Sequence, residues 1–246
     1  REGNKLVVIE GNRRLAAVQC ILDPRIAANL GINKNLLTIS EEYRKTLAQI
    51  PVIIVDARKD AWKFIGFKHI NGPAKWGSYA KAQYISLIKT EYGISLEEIA
   101  SQLGDTFGTV QKLYQALQVI EQAEKAGKFH RTDIAAERLY FSHLYTALEY
   151  SGFNEFLGLD KTRDEHHPVP PEKINELGEV LVWLYESKKQ GKSSVIENQN
   201  PDLRHLDAVI QKPEAIFALR QNDSLDTAFE MTIAKEKSFE DSLLQA

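Results

Sequence analysis

The sequence predicts an α+β fold, with a small mixed α/β unit at the N-terminus and an all-α remainder. Three observations predict it. Val7-Val8-Ile9 and Val52-Ile53-Ile54-Val55 are short β-branched runs of the kind that fill buried strands. Beyond about residue 78, apolar side chains recur at helical spacing. Leu96 to Leu117 carries the small-residue, glycine and apolar spacing of a helix-turn-helix. The expected divisions are 1–76 for the mixed unit, 77–160 for a helical region with the helix-turn-helix at 95–118, and 172–246 for a C-terminal helical region.

Lys5 to Glu10 reads as the first strand. Asn12 to about Leu22 reads as a helix, on the spacing of Leu15, Ala16, Val18, Ile21 and Leu22, and Asp23-Pro24 ends it. The polar stretch from Arg25 to Gln49 has weak helical periodicity around Glu41 to Leu47. Ile50 to Val55 reads as the second strand, with Pro51 at its start, where a missing N–H is tolerated. A short helix is expected over 61–67 and a loop over 69–77, which holds Gly72, Pro73 and Gly77. A longer helix follows over 78–92. Further helices are expected at about 134–157, 172–190, 203–220 and 224–245, with Asp164 to Pro171 and Lys188 to Pro201 as connections.

The 246 residues are 43% hydrophobic and 26% charged, with a net charge of −3. That balance excludes a protein that coats nucleic acid by bulk charge. It leaves room for a local basic face. From Arg58 to Tyr92, Arg58, Lys59, Lys63, Lys68, Lys75, Lys81 and Lys89 oppose only Asp60 and Glu91, a local charge of +5. No apolar run reaches bilayer-spanning length, so no membrane partner is expected. The chain opens at Arg1 without a methionine and reads as a piece of a longer protein. Cys20 is the single cysteine, which excludes an intrachain disulfide and fits a reducing cytoplasm. His166-His167 beside Asp164 and Glu165 lies among prolines and reads as a loop, and no metal site is expected. His130, His143 and His205 are isolated and read as structural.

In the helix-turn-helix, Ala100 is small enough for two helices to approach, Gly104 takes the turn, and Val110 pins the second helix onto the first. Ile99, Leu103 and Leu113 fill the apolar positions between. Ser95 is the expected N-cap of the first helix, in a capping box with Glu98, and Thr106 that of the second. Thr106, Thr109, Gln111, Lys112 and Gln115, with Phe107, are the candidates to meet DNA, since hydroxyls and amides suit hydrogen bonding to base edges. Glu97, Glu98 and Asp105 oppose phosphate and leave open a hairpin that only packs.

Glu10-Gly11-Asn12-Arg13-Arg14 joins the expected strand to the expected helix. Two arginines at a helix start work against the helix dipole. A bound anion would reverse that penalty. N–H groups there point outward, and a glycine lets a ligand come close. Arg13 and Arg14 add forked donors that match phosphate oxygens, and Glu10 can orient an arginine or a ribose. The alternative is an arginine pair bound to carboxylates elsewhere in the unit.

Glu10 to Ala17 resembles the arginine box of the ParB/sulfiredoxin superfamily, a Gly-x-Arg-Arg followed by an alanine-bearing helix. The order of box, buried strand, second box, helix and helix-turn-helix over about residues 3–125 is similar to that of ParB-like proteins. The resemblance implies a nucleotide-binding α+β domain followed by a helical DNA-binding domain. It implies a nucleoside triphosphate held by Gly11, Asn12, Arg13 and Arg14, with Glu10, Lys68, His69 and Asn71 around it, and Lys75 and Trp76 nearby. In partitioning members the nucleotide is CTP, and its binding and hydrolysis switch a clamp on DNA. The second box departs from the family, because His69 stands where the family has the glutamate that helps hold nucleotide and magnesium. The choice of CTP or ATP, with or without Mg2+, stays open. A family-typical first strand and first box would lie upstream of Arg1. Asn12 stands where sulfiredoxins carry their catalytic cysteine, which argues against sulfinic acid reduction, and Cys20 reads as a core residue. The resemblance thus implies a nucleotide-binding, DNA-associated switch or clamp with slow NTP hydrolysis, as a homodimer or with a partner protein. The alternatives are a ParB-like metal-dependent DNA nuclease and a non-catalytic interaction module on the same fold.

Overall fold

The computed structural model describes residues 5–33, 38–71, 76–134, 139–159 and 166–233. These divide into two compact units, Arg1–Lys75 and Trp76–Ala246. Both are helical. Among the described residues there is no sheet, only isolated bridge positions at Lys5, Ser187 and Lys192. The expected α+β class and its mixed N-terminal domain are therefore corrected to a mostly helical chain. Residues 6–8 and 50–55 are irregular rather than strands, and Val7, Val8 and Ile53 are 40%, 41% and 92% exposed. A β-branched run becomes a strand only when another strand supplies its ladder and its packed face.

In the first unit, α1 (Asn12–Leu22), α2 (Pro24–Asn29) and α3 (Glu41–Leu47) precede a 3-10 turn at Arg58–Ala61 and a short helix α4 (Trp62–Gly66). A π-turn at Phe67–Asn71 extends α4. The α1–α2 break follows from Asp23-Pro24. Proline fits the first turn of the new helix, and the Asp23 carboxylate accepts the Arg25 N–H at 3.0 Å. Ser40 caps α3, which has Glu41 and Glu42 in its first turn and Arg44 and Lys45 in its last, the order its dipole favours. Arg44 donates to the Ile21 and Leu22 carbonyls at 3.1 and 3.3 Å and so closes the end of α1. Among the described residues the unit's buried apolar side chains are Cys20, Ala27, Trp62 and Ile70.

The second unit is larger. It contains α5 (Ser78–Tyr92), α6 (Leu96–Leu103), α7 (Phe107–Lys125), α8 (Phe141–Ala147), α9 (Ser151–Leu157), α10 (Ile174–Tyr185), α11 (Gln199–Ile210), α12 (Pro213–Asn222) and α13 over 225–233. The long α7 packs on α5, α6, α8 and α10, which explains why Ala116 to Ile120 are all buried. Its two buried amides are partnered. Gln122 exchanges two hydrogen bonds with the Val169 backbone, at 2.6 and 3.0 Å. Gln118 reaches the Ser86 hydroxyl at 3.4 Å and the His166 ring at 3.0 Å. Opposite, α10 buries Leu177 to Tyr185 except Glu179 against α8 and α9. The Tyr185 hydroxyl accepts the Leu144 N–H and donates to the Tyr140 carbonyl, both at 3.3 Å. His143 is buried and stacks on the Tyr185 ring, and His205 stacks on Phe229. Asp164 and Glu165 lie outside the described residues, as do the expected helical stretches at 135–138 and 234–245. No helix among the described residues is long and apolar enough to cross a membrane.

Candidate anion site and helix-turn-helix

Gly11 precedes α1 with φ +96°, a left-handed conformation that a side chain would strain. A Cβ there would also sit 3.4 Å from the Arg14 guanidinium. The first turn of α1 contains Asn12, Arg13 and Arg14 and no acidic residue, so the helix does not offset its own positive end. Asn12, Arg13 and Arg14 are exposed. Among the described residues Arg13 pairs with no carboxylate.

Glu10 supplies the local negative charge. Its carboxylate accepts from Lys68 Nζ on one oxygen and meets His69 Nε2 at 3.0 Å on the other, while Arg14 stands 3.7 Å away. Lys68 and His69 come from the π-turn, so residues 58 positions apart in sequence are drawn to one point. Hydrogen bonds from Lys68 and then His69 hold the Glu10 carboxyl down to about 2. His69 is 8% exposed and belongs to the inner face of its turn. Asn71 ends the π-turn. Lys75 lies outside the described residues. Trp76 begins the second unit, where its ring meets Tyr84 edge-on at 5.2 Å. Of the eight residues expected around a nucleotide, Glu10, Arg14, Lys68 and His69 form this one cluster. Spacing alone could not have revealed that Glu10 occupies the lysine and histidine, because the contact is non-local.

The second unit presents the helix-turn-helix. Ser95 caps α6 by accepting the Glu98 N–H at 3.2 Å. Gly104 ends α6 at φ +66°, and the Asp105 N–H returns to the Ala100 carbonyl at 3.0 Å. Thr106 caps α7 by accepting the Thr109 N–H at 3.2 Å. Ile99, Ala100, Leu103, Val110 and Leu113 are buried between the helices. On the outer side of α7, Phe107 and Gln111 are exposed and Thr109, Lys112 and Gln115 half-buried. The Thr106 and Thr109 hydroxyls bond each other at 2.8 Å. Lys112 reaches Glu149 at 3.3 Å and lies 5.2 Å over the Tyr145 ring, an engagement its position in the motif does not suggest.

No group of three or more His, Cys, Asp or Glu side chains suited to a metal ion occurs among the described residues. No family model matches the chain, and no curated protein or solved structure matches it.

Proposed function

We propose that the chain binds the phosphates of a nucleoside triphosphate at the Gly11–Arg14 helix start and associates with DNA through the helix-turn-helix. The observation that supports this reading best is the cationic start of α1, where Arg13 and Arg14 occupy an acid-free first turn and Lys68 and His69 converge on the preceding residue. An arriving phosphate would meet outward N–H groups and guanidinium forks. Glu10 holds Lys68 and His69, and its side chain would compete with the phosphate for them. Magnesium fits poorly here. The Glu10 carboxylate is bonded to two basic groups, whereas Mg2+ takes carboxylate together with phosphate and water. No hydrolytic step is assigned to these residues.

Calorimetric titration with CTP, ATP and GTP tests the reading. Arg13→Ala with Arg14→Ala is expected to weaken triphosphate binding at least about tenfold with unchanged melting, since both side chains are exposed. Binding that survives the double substitution overturns the site. The non-catalytic interaction module is the second reading. The pairing of Lys112 with Glu149, and Glu97 and Glu98 in the first turn of α6, favour it. A stable protein complex from a chain that binds neither triphosphate nor duplex would establish it.

A further inference from the structure

The short helix α4 and its π-turn have two unlike faces. Trp62, Gly66, His69 and Ile70 are buried, at the i, i+4, i+7 and i+8 positions of a packed helical stripe. Yet Phe64 and Phe67, three residues apart and on the outer side, are 59% and 62% exposed. Large rings on the solvent face lie outside this packed stripe. Their surroundings are basic: Lys59 and Lys63 are exposed, Lys63 Nζ lies 5.6 Å from the Trp62 ring, and Lys68 Nζ lies 5.9 Å from the Phe64 ring. Over 56–69 the charges are Arg58, Lys59, Lys63 and Lys68 against Asp56 and Asp60, and Glu10 engages Lys68, which leaves a net +1 in a chain of −3. The Asp60 carboxylate is turned back to accept the Ala57 N–H at 2.9 Å.

We propose that this face is a binding platform for single-stranded nucleic acid, with bases stacked on Phe64 and Phe67 and the backbone phosphates met by Lys59 and Lys63. Exposed rings interleaved with lysines suit this ligand, because every base offers a π-face and every linkage a negative charge. Duplex DNA hides its base faces and would leave the rings unused. A lipid surface fits less well, since an element of ten residues with two outward rings offers little apolar area to a membrane interface. The platform belongs to the first unit and the helix-turn-helix to the second, so beside the DNA contact proposed above it would be a second, sequence-tolerant mode of nucleic-acid contact.

Fluorescence anisotropy of the full chain with a labelled oligothymidylate of about 20 nucleotides tests the proposal. The unchanged chain is expected to bind at low salt. F64A with F67A should weaken binding at least about tenfold. F64L with F67L keeps apolar bulk, removes the π-faces, and should weaken it comparably. K59A with K63A should lower the slope of log K against log salt by about 1.4. No binding by the unchanged chain overturns the proposal, and so does binding that both phenylalanine pairs leave intact. Phenylalanine-dependent pelleting with phosphatidylserine vesicles, alongside phenylalanine-independent oligothymidylate binding, also overturns it and reassigns the face to lipid.

Discussion

Glu10 is the residue on which the first unit's electrostatics turn. Unfolded, its carboxyl takes a proton near its ordinary 4.5; folded, Lys68 and His69 hold it ionised down to about 2. The folded form therefore binds fewer protons between those values, so the stabilisation is complete above about pH 4.5 and is lost as pH falls toward 2. Because the side chain is 25% exposed, screening limits the effect to about 1 kcal/mol. Urea unfolding of Glu10→Gln from pH 3 to 7 is expected to lose this part of the pH dependence, and a slope identical to the parent would refute it. The same variant should bind triphosphate more tightly, because it no longer competes for Lys68. The adjacent arginines and the glycine are local signals, and the αL start of α1 follows from Gly11. The capture of Glu10 depends on a turn almost sixty residues away, which no spacing rule encodes.

Elements differ in how far their own residues determine them. The α6–α7 hairpin is legible in the sequence because its caps, its glycine and its small-residue contact all lie within about twenty residues of one another. The β-branched runs mislead because a strand is specified by its partners, and among the described residues 51–55 form no strand. The junction of α9 with α11 is of a third kind, specified by a residue that is nearly nothing. A Cβ on Gly152 would lie 2.6 Å from the Asp207 carboxylate and 2.8 Å from the Asp207 carbonyl. That closeness lets Asp207 accept the Phe153 N–H at 3.1 Å and cap α9 from another helix. Gly152→Ala should cost about 2 kcal/mol by forcing the helices apart, read as a lowered thermal midpoint. An unchanged midpoint would show that the contact yields freely.

At the scale of the whole chain, two units with unequal cores share one sequence. Among the described residues, the first buries few side chains and leaves much apolar surface exposed, whereas the second buries the middle of α7 and most of α10. Local propensity shaped both. What separates them is the number of neighbouring helices that each element meets, a property of assembly rather than of any window of residues. The link between α9 and α10 shows the result. Val169 is fully buried in a segment without regular structure, and its backbone is paired to the Gln122 amide as if that side chain were a neighbouring strand. Such an amide proton cannot reach solvent by a local fluctuation of its loop; α7 must first let go. In deuterium oxide, Val169 should therefore be among the slowest-exchanging amides of the chain, and Gln122→Ala should accelerate its exchange far more than that of the α10 interior. A loop residue would then report the opening free energy of the larger unit, and the irregular stretch 166–170 would prove to be one of its most persistent parts.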